Sequence, residues 1–203
     1  MKKLFLLLLI SASMKGHDVI SQEINSEIVN AEASVIIPIG RLSNKFEYAH
    51  SYGFWFKLGE EKGIIASAGI TAILLKNARA IKYEFKDSIY DINSNKFGLD
   101  VGIRAIKIIP VSNKTKNHYL ELDTTIGLHY LDYDFPSEKE DKKNENNEPL
   151  FKNLTCIVAP EIKYIYKNVG LKFQYRFTPY NLIDGIESKF GSHSIAFGIV
   201  YKQ

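Results

Sequence analysis

The stretch Val169-Gly-Leu-Lys-Phe-Gln-Tyr-Arg-Phe-Thr178 alternates apolar and polar residues without a break. Successive strand side chains point to opposite faces. Val169, Leu171, Phe173, Tyr175 and Phe177 therefore share one face, and Gly170, Lys172, Gln174, Arg176 and Thr178 share the other. Two architectures accept such a segment. In a sandwich the polar face meets water. In a membrane barrel the apolar face meets lipid and the polar face turns inward.

Eight segments of this kind can be drawn: Ile28–Ile39, Ser51–Leu58, Gly63–Leu75, Lys96–Ile109, Asn117–Tyr133, Asn153–Tyr166, Asn168–Pro179 and Ser192–Lys202. Their connections alternate in length. Gly59–Lys62, Pro110–Lys116 and Lys167-Asn168 are short, whereas Arg41–His50, Lys76–Asn95, Asp134–Lys152 and Tyr180–Gly191 are long. An up-and-down barrel with both termini in the periplasm produces this alternation, with short turns on one side and long loops on the other. A Greek-key sandwich has no reason to keep it. The even strand count also suits a bacterial single-chain barrel. The fold class expected is all-β, an eight-stranded antiparallel up-and-down transmembrane β-barrel.

The N-terminus fits export. Lys2-Lys3 precedes an apolar run from Leu4 to Ile10 and the small residues Ser11-Ala12-Ser13. That is the anatomy of a signal peptide, and the run is shorter than the roughly 20 residues of a membrane-crossing helix. We expect residues 1–21 to be a signal peptide, with cleavage after Ser13, Gly16 or Ser21, and residues 22–203 to be the barrel domain. No Cys near this region offers a lipoprotein anchor. The only Cys, Cys156, excludes an intrachain disulfide. A net charge of +3 with no basic cluster interleaved with aromatics argues against nucleic acid.

The inner faces drawn this way carry small residues and charge. The charges are Glu32, Lys57, Asp100, Arg104, Glu121, Asp123, Glu161, Lys163, Lys172 and Arg176, and a paired network plugging the lumen is expected of them. The outer faces carry apolar residues, with Tyr52, Phe97, Tyr130, Tyr164, Tyr166, Phe177 and Tyr201 near strand ends, where interfacial aromatic girdles lie.

The signal-peptide pattern, the eight segments, the ending Ile195-Ala-Phe-Gly-Ile-Val-Tyr201 and the first-strand terminus Ile37-Pro-Ile-Gly-Arg-Leu-Ser43 resemble the small Gram-negative outer-membrane β-barrel proteins. The resemblance is to the broad outer membrane protein β-barrel domain group and covers the mature chain. It implies a cell outer-membrane location with periplasmic termini, contact with outer-membrane lipid, and possible contact with other envelope or extracellular proteins through the outer loops. Many members end on Phe or Tyr, whereas this chain continues with Lys202-Gln203.

Some such barrels modify lipid A with Ser and His near the outer rim, their deacylase pattern placing one residue between the two. Ser192-His193-Ser194 departs from it: adjacent residues face opposite ways, and His193 falls on the lipid side, where a polar strand start is the simpler reading. His129 on the lumen face is expected to pair with Asp123 or Glu121. His17, His50 and His118 lack metal-ligand spacing, no phosphate loop appears, and no cofactor is expected. The charged run Pro136–Pro149 lacks calcium-loop spacing and reads as a solvated loop. In Lys76–Asn95, the alternating Ile81, Tyr83 and Phe85 suggest a hairpin above the membrane. The function expected is an integral outer-membrane barrel with a structural or surface-interaction role. The alternatives are a lipid A-modifying enzyme, a narrow channel or hydrophobic-ligand barrel, and a soluble periplasmic β-protein.

Overall fold

The computed structural model describes residues 29–76, 81–85, 88–92, 95–111, 117–133, 154–183, 186 and 189–203. The strands are β1 (Val29–Pro38), β2 (Ala49–Glu61), β3 (Ile64–Leu74), β4 (Ile81–Phe85), β5 (Ser88–Ile92), β6 (Asn95–Pro110), β7 (His118–Tyr133), β8 (Leu154–Tyr166), β9 (Val169–Phe177) and β10 (His193–Lys202). Eight of them close into one antiparallel barrel in the order β1-β10-β9-β8-β7-β6-β3-β2. Closure is made by β1 against β10, from Asn30 opposite Lys202 to Pro38 opposite Ser194. The third segment, the least regular in its alternation, is a strand, as Gly69 and its β-branched residues favour over a helix.

β4 and β5 form a separate two-stranded sheet within the connection from β3 to β6, with Tyr83 opposite Tyr90. This is the hairpin expected from the alternation in that segment. The proposed signal peptide, the charged run Pro136–Pro149 and His17 lie outside the described residues.

The short connections have local causes. The β2–β3 hairpin turns on Lys62 and Gly63, both at positive φ (52° and 70°). That is the backbone of a type I′ turn, whose twist matches that of the paired strands. Lys167 makes the β8–β9 turn, also at positive φ (55°).

Two of the long connections fold over one end of the barrel. Gly40–Asn44 and Tyr180–Leu182 are 3-10 turns. Leu42 and Phe46 from the first connection pack with Tyr180, Ile183, Ile186 and Phe190 from the last, and with Leu131 near the end of β7. Phe46 lies 5.5 Å from Tyr180 and 5.6 Å from Phe190 between ring centroids. Gly191, at φ +106°, brings the chain so close that a Cβ there would meet the Leu42 backbone nitrogen at 2.5 Å. The opposite, turn-bearing end has its own apolar layer of Tyr119, Ile165 and Val200.

Candidate functional site

The polarity of an ordinary globular protein is inverted here. Outward-facing Leu171 and Ile103 are 65% and 63% exposed, while inward-facing Lys163 and Glu121 are 0% exposed. The period of two carries this through every barrel strand, because each strand has one face on the enclosed lumen. β8 and β9 alternate cleanly over their whole length.

Arg104 on β6 reaches across the lumen to Glu32 on β1, with Nη1 to Oε1 at 2.5 Å and Nη2 to Oε2 at 3.3 Å. Its Nε donates to Thr125 at 3.0 Å, and its Nη1 is 3.6 Å from Glu161. Lys172 on β9 donates to Glu32 at 2.6 Å and stands 3.1 Å from Glu161. Lys163 on β8 sits among carboxylates, 2.7 Å from Asp123, 2.8 Å from Glu161, 2.9 Å from Glu32 and 3.9 Å from Glu121. A charge removed from water is tolerable only when paired, and all but one of these pairs, Lys163 with Glu161 on β8, join different strands.

A second, smaller group lies nearer the capped end. Arg176 on β9 donates from Nη2 to Asp100 Oδ2 at 2.7 Å and from Nη1 to Gln174 at 3.4 Å. His129 Nδ1 lies 2.6 Å from the other Asp100 oxygen. His129 was expected to pair with Asp123 or Glu121 of its own strand. It meets Asp100 instead, because β6 and β7 place the two directly opposite each other. Tyr180 of the cap stands edge-on to the His129 ring at 5.3 Å.

Lys57 also departs from expectation. It faces inward but lies at the turn-end rim, where β2 bulges between Lys57 and Gly59. Its Nζ is 3.6 Å from Glu60, and the two side chains are about a fifth exposed. In its place stands Lys202, which donates to Glu121. The alternation of β10 puts Lys202 on the inner face with Ser194, Ala196, Gly198 and Val200. The central carboxylates Glu32, Asp100, Glu121, Asp123 and Glu161 thus face Arg104, Lys163, Lys172, Arg176 and Lys202, and their formal charges cancel.

Aromatic packing holds the centre. Trp55 on β2 lies under the Arg104 guanidinium, 3.8 Å from ring to cation, a favourable cation–π stack. Opposite it on β3 is Gly69. A Cβ there would come within 2.5 Å of the indole, so the absence of a side chain makes room for the ring. Between the two charged groups, lined by Trp55, Thr71, Asp100, Arg104, Lys172 and Arg176 among others, a cavity of about 10 Å³ remains, about the room needed by one water-sized sphere. Among the described residues, no group of His, Cys, Asp and Glu is arranged to hold a metal ion.

Ser192, His193 and Ser194 do not converge. Ser194 is buried on the lumen side, while His193 is exposed and has its Nδ1 2.6 Å from the Tyr175 hydroxyl. Tyr52, Tyr164, Tyr166 and Tyr201 are all exposed on the exterior.

No protein-family model and no curated protein sequence matches the chain. Among solved structures, it is similar to Neisserial surface protein A at 13% identity, over 87% of this chain and 97% of that one, with a TM-score of 0.49. It is also similar to the NanC porin at 10% identity, over 86% of this chain and 100% of that one, with a TM-score of 0.27. The fold itself rests on the chain's own pairing. Eight antiparallel strands closed up-and-down, apolar outside and charged within, are the architecture of a small outer-membrane barrel.

Proposed function

We propose that this chain is an integral outer-membrane protein whose barrel is a rigid, plugged support and whose outer connections meet other molecules of the envelope or the exterior. The observation that carries this reading is the inverted polarity: Leu171 and Ile103 outside, Lys163 and Glu121 inside. Exposing such an apolar band to water would cost about 25 cal/mol per Å², and a bilayer removes that cost. No helix among the described residues is long and apolar enough to cross a membrane, so strands would make the crossing.

In this reading residues 1–21 direct export, both termini lie in the periplasm, and the capped end faces outward. The paired charges, the small residual cavity and the apolar layers at both ends favour a closed lumen over a channel. The β4–β5 hairpin is the natural contact element. Its backbone pairs from Ile81 opposite Ile92 to Phe85 opposite Ser88, and a strand pair held within an outer connection is a surface that a partner can meet.

Two measurements test the proposal. The chain should fractionate with outer membranes, leave them only with detergent, and migrate differently on a gel before and after boiling. In planar bilayers it should give no unitary conductance. A protein extracted by buffer alone would overturn the membrane reading, and stable single-channel steps would overturn the plugged lumen.

A further inference from the structure

The exterior carries one small arrangement twice, once at each rim. At the loop end, His193 opens β10 opposite Phe177 of β9. Its Nδ1 is 2.6 Å from the hydroxyl of Tyr175. The imidazole stacks with Tyr175 at 5.9 Å and tilts against Phe177 at 5.3 Å. At the turn end, His118 opens β7 opposite Tyr166 of β8. Its Nδ1 is 2.8 Å from the hydroxyl of Tyr164, and its ring lies 4.6 Å from Tyr166. Each copy is a strand-opening His, an aromatic residue directly across, and a Tyr two residues toward the barrel's waist.

The direction of donation in each His–Tyr contact is set by the ring's tautomer. With the tyrosine hydroxyl donating to Nδ1, the ring hydrogen sits on Nε2. Nε2 of neither ring is bonded to a described residue. Each rim therefore presents one oriented N–H donor beside aromatic rings that themselves favour a polar–apolar boundary. The spacing fits two such boundaries. From Val169, opposite Tyr166, to Phe177, opposite His193, β9 advances about 27 Å at ~3.4 Å per residue. At a tilt of ~40° that is about 20 Å along the barrel axis, close to the ~25 Å apolar band of an outer-membrane barrel. Lys167, with Nζ 5.4 Å from the Tyr166 ring, adds positive charge at the turn-end rim.

We propose that His193 and His118 are headgroup anchors, each donating from Nε2 to a phosphate oxygen of an anionic lipid, one in each leaflet. The inference rests on the membrane reading above. A phosphate fits better than a protein partner because the same donor recurs at both rims. A bilayer presents phosphate at both heights, whereas the outer connections lie at one end only. Tyr175 and Tyr164 act as positioning residues that keep each ring's donor turned outward.

The test uses the full chain, labelled with ¹⁵N-histidine and folded into phosphatidylglycerol vesicles. Dipolar dephasing of the ¹⁵N signals by ³¹P should appear at Nε2 of His193 and His118 and be much weaker at Nδ1. His193→Leu and His118→Leu should each remove one dephased signal. Tyr175→Phe and Tyr164→Phe should remove most of the effect at their own histidine while leaving the heat-dependent gel shift intact. In phosphate-free digalactosyldiacylglycerol vesicles, the urea midpoint should fall for the parent chain and stay unchanged for the double histidine variant. A folded, inserted barrel without dephasing at Nε2 would overturn the anchors and leave the membrane reading standing. A chain that neither inserts nor shows the gel shift would overturn both.

Discussion

Arg104 and Glu32, 72 residues apart in sequence, are joined by two hydrogen bonds through the middle of the barrel, the shorter at 2.5 Å. Neither side chain is more than 3% exposed. Removing the guanidinium strands Glu32 and Glu161 with less compensation, and breaking a buried pair from one side costs about 3–5 kcal/mol. Arg104→Ala should lower the unfolding midpoint in detergent far more than Glu140→Ala in the charged run Pro136–Pro149, which should change stability by no more than about 0.5 kcal/mol. Equal shifts in the two variants would contradict the network.

Gly69 and Trp55 make a second test. The indole occupies the space that a methyl group at 69 would need, and overpacking of this kind costs about 1–3 kcal/mol. Gly69→Ala should destabilise the barrel and, because Trp55 is the chain's only tryptophan, should also shift the emission of the folded protein. An unchanged spectrum would mean that the ring is not seated as described.

Tyr180 ties stability to alkaline pH. Burial pushes its phenol above the ordinary value; nearby Arg176 works against the shift and Asp100 adds to it. The unfolded phenol ionises near pH ~10. Above that pH the unfolded chain gives up a proton that the folded chain still holds, so stability falls as pH rises. Between about pH 9 and 11 the urea midpoint of the parent chain should drop more than that of Tyr180→Phe, since only the former has this phenol to ionise. Parallel curves would place Tyr180 in contact with water.

Lys62 occupies a left-handed position of the β2–β3 turn, at φ 52°. Asparagine tolerates that region better, and Asn-Gly suits the type I′ turn. Lys62→Asn should stabilise the barrel by about 0.5–1 kcal/mol in reversible urea unfolding. The exposed Lys62–Glu61 contact at 3.8 Å is worth little in compensation. A loss of stability would show that the lysine does more than turn the chain.

The strands were legible because alternation is local. Val169–Phe177 shows both of its faces without reference to any other part of the chain, and the alternating connections follow from counting. Partners were not legible, because they depend on register across strands. His129 finds Asp100 on β6 rather than the acids of β7, and the bulge after Lys57 leaves that lysine at the rim. Lys202 lies on the inner face of its strand's alternation, but its partner Glu121 is 81 residues away and is set by register alone. The cap was hidden for a different reason. Leu42, Phe46, Tyr180 and Phe190 are isolated in their own connections and become a cluster only when the closed barrel brings the first and last connections together.

The interior charges have a consequence for how the barrel comes to exist. Lys172 bonds Glu32 across 140 residues of chain, Lys202 bonds Glu121 across 81, and Arg176 bonds Asp100 across 76. A partly assembled sheet would hold Glu32 without Lys172, or Glu121 without Lys202, and so leave part of the acidic charge uncompensated, which burial penalises. Intermediates with some strands in place are thereby disfavoured, and the last strand to arrive neutralises what the earlier ones leave open. Assembly should be all-or-none and slow, as expected when contacts are so distant in sequence. The pairing of these charges thus favours a barrel that closes completely over one that stops part-way.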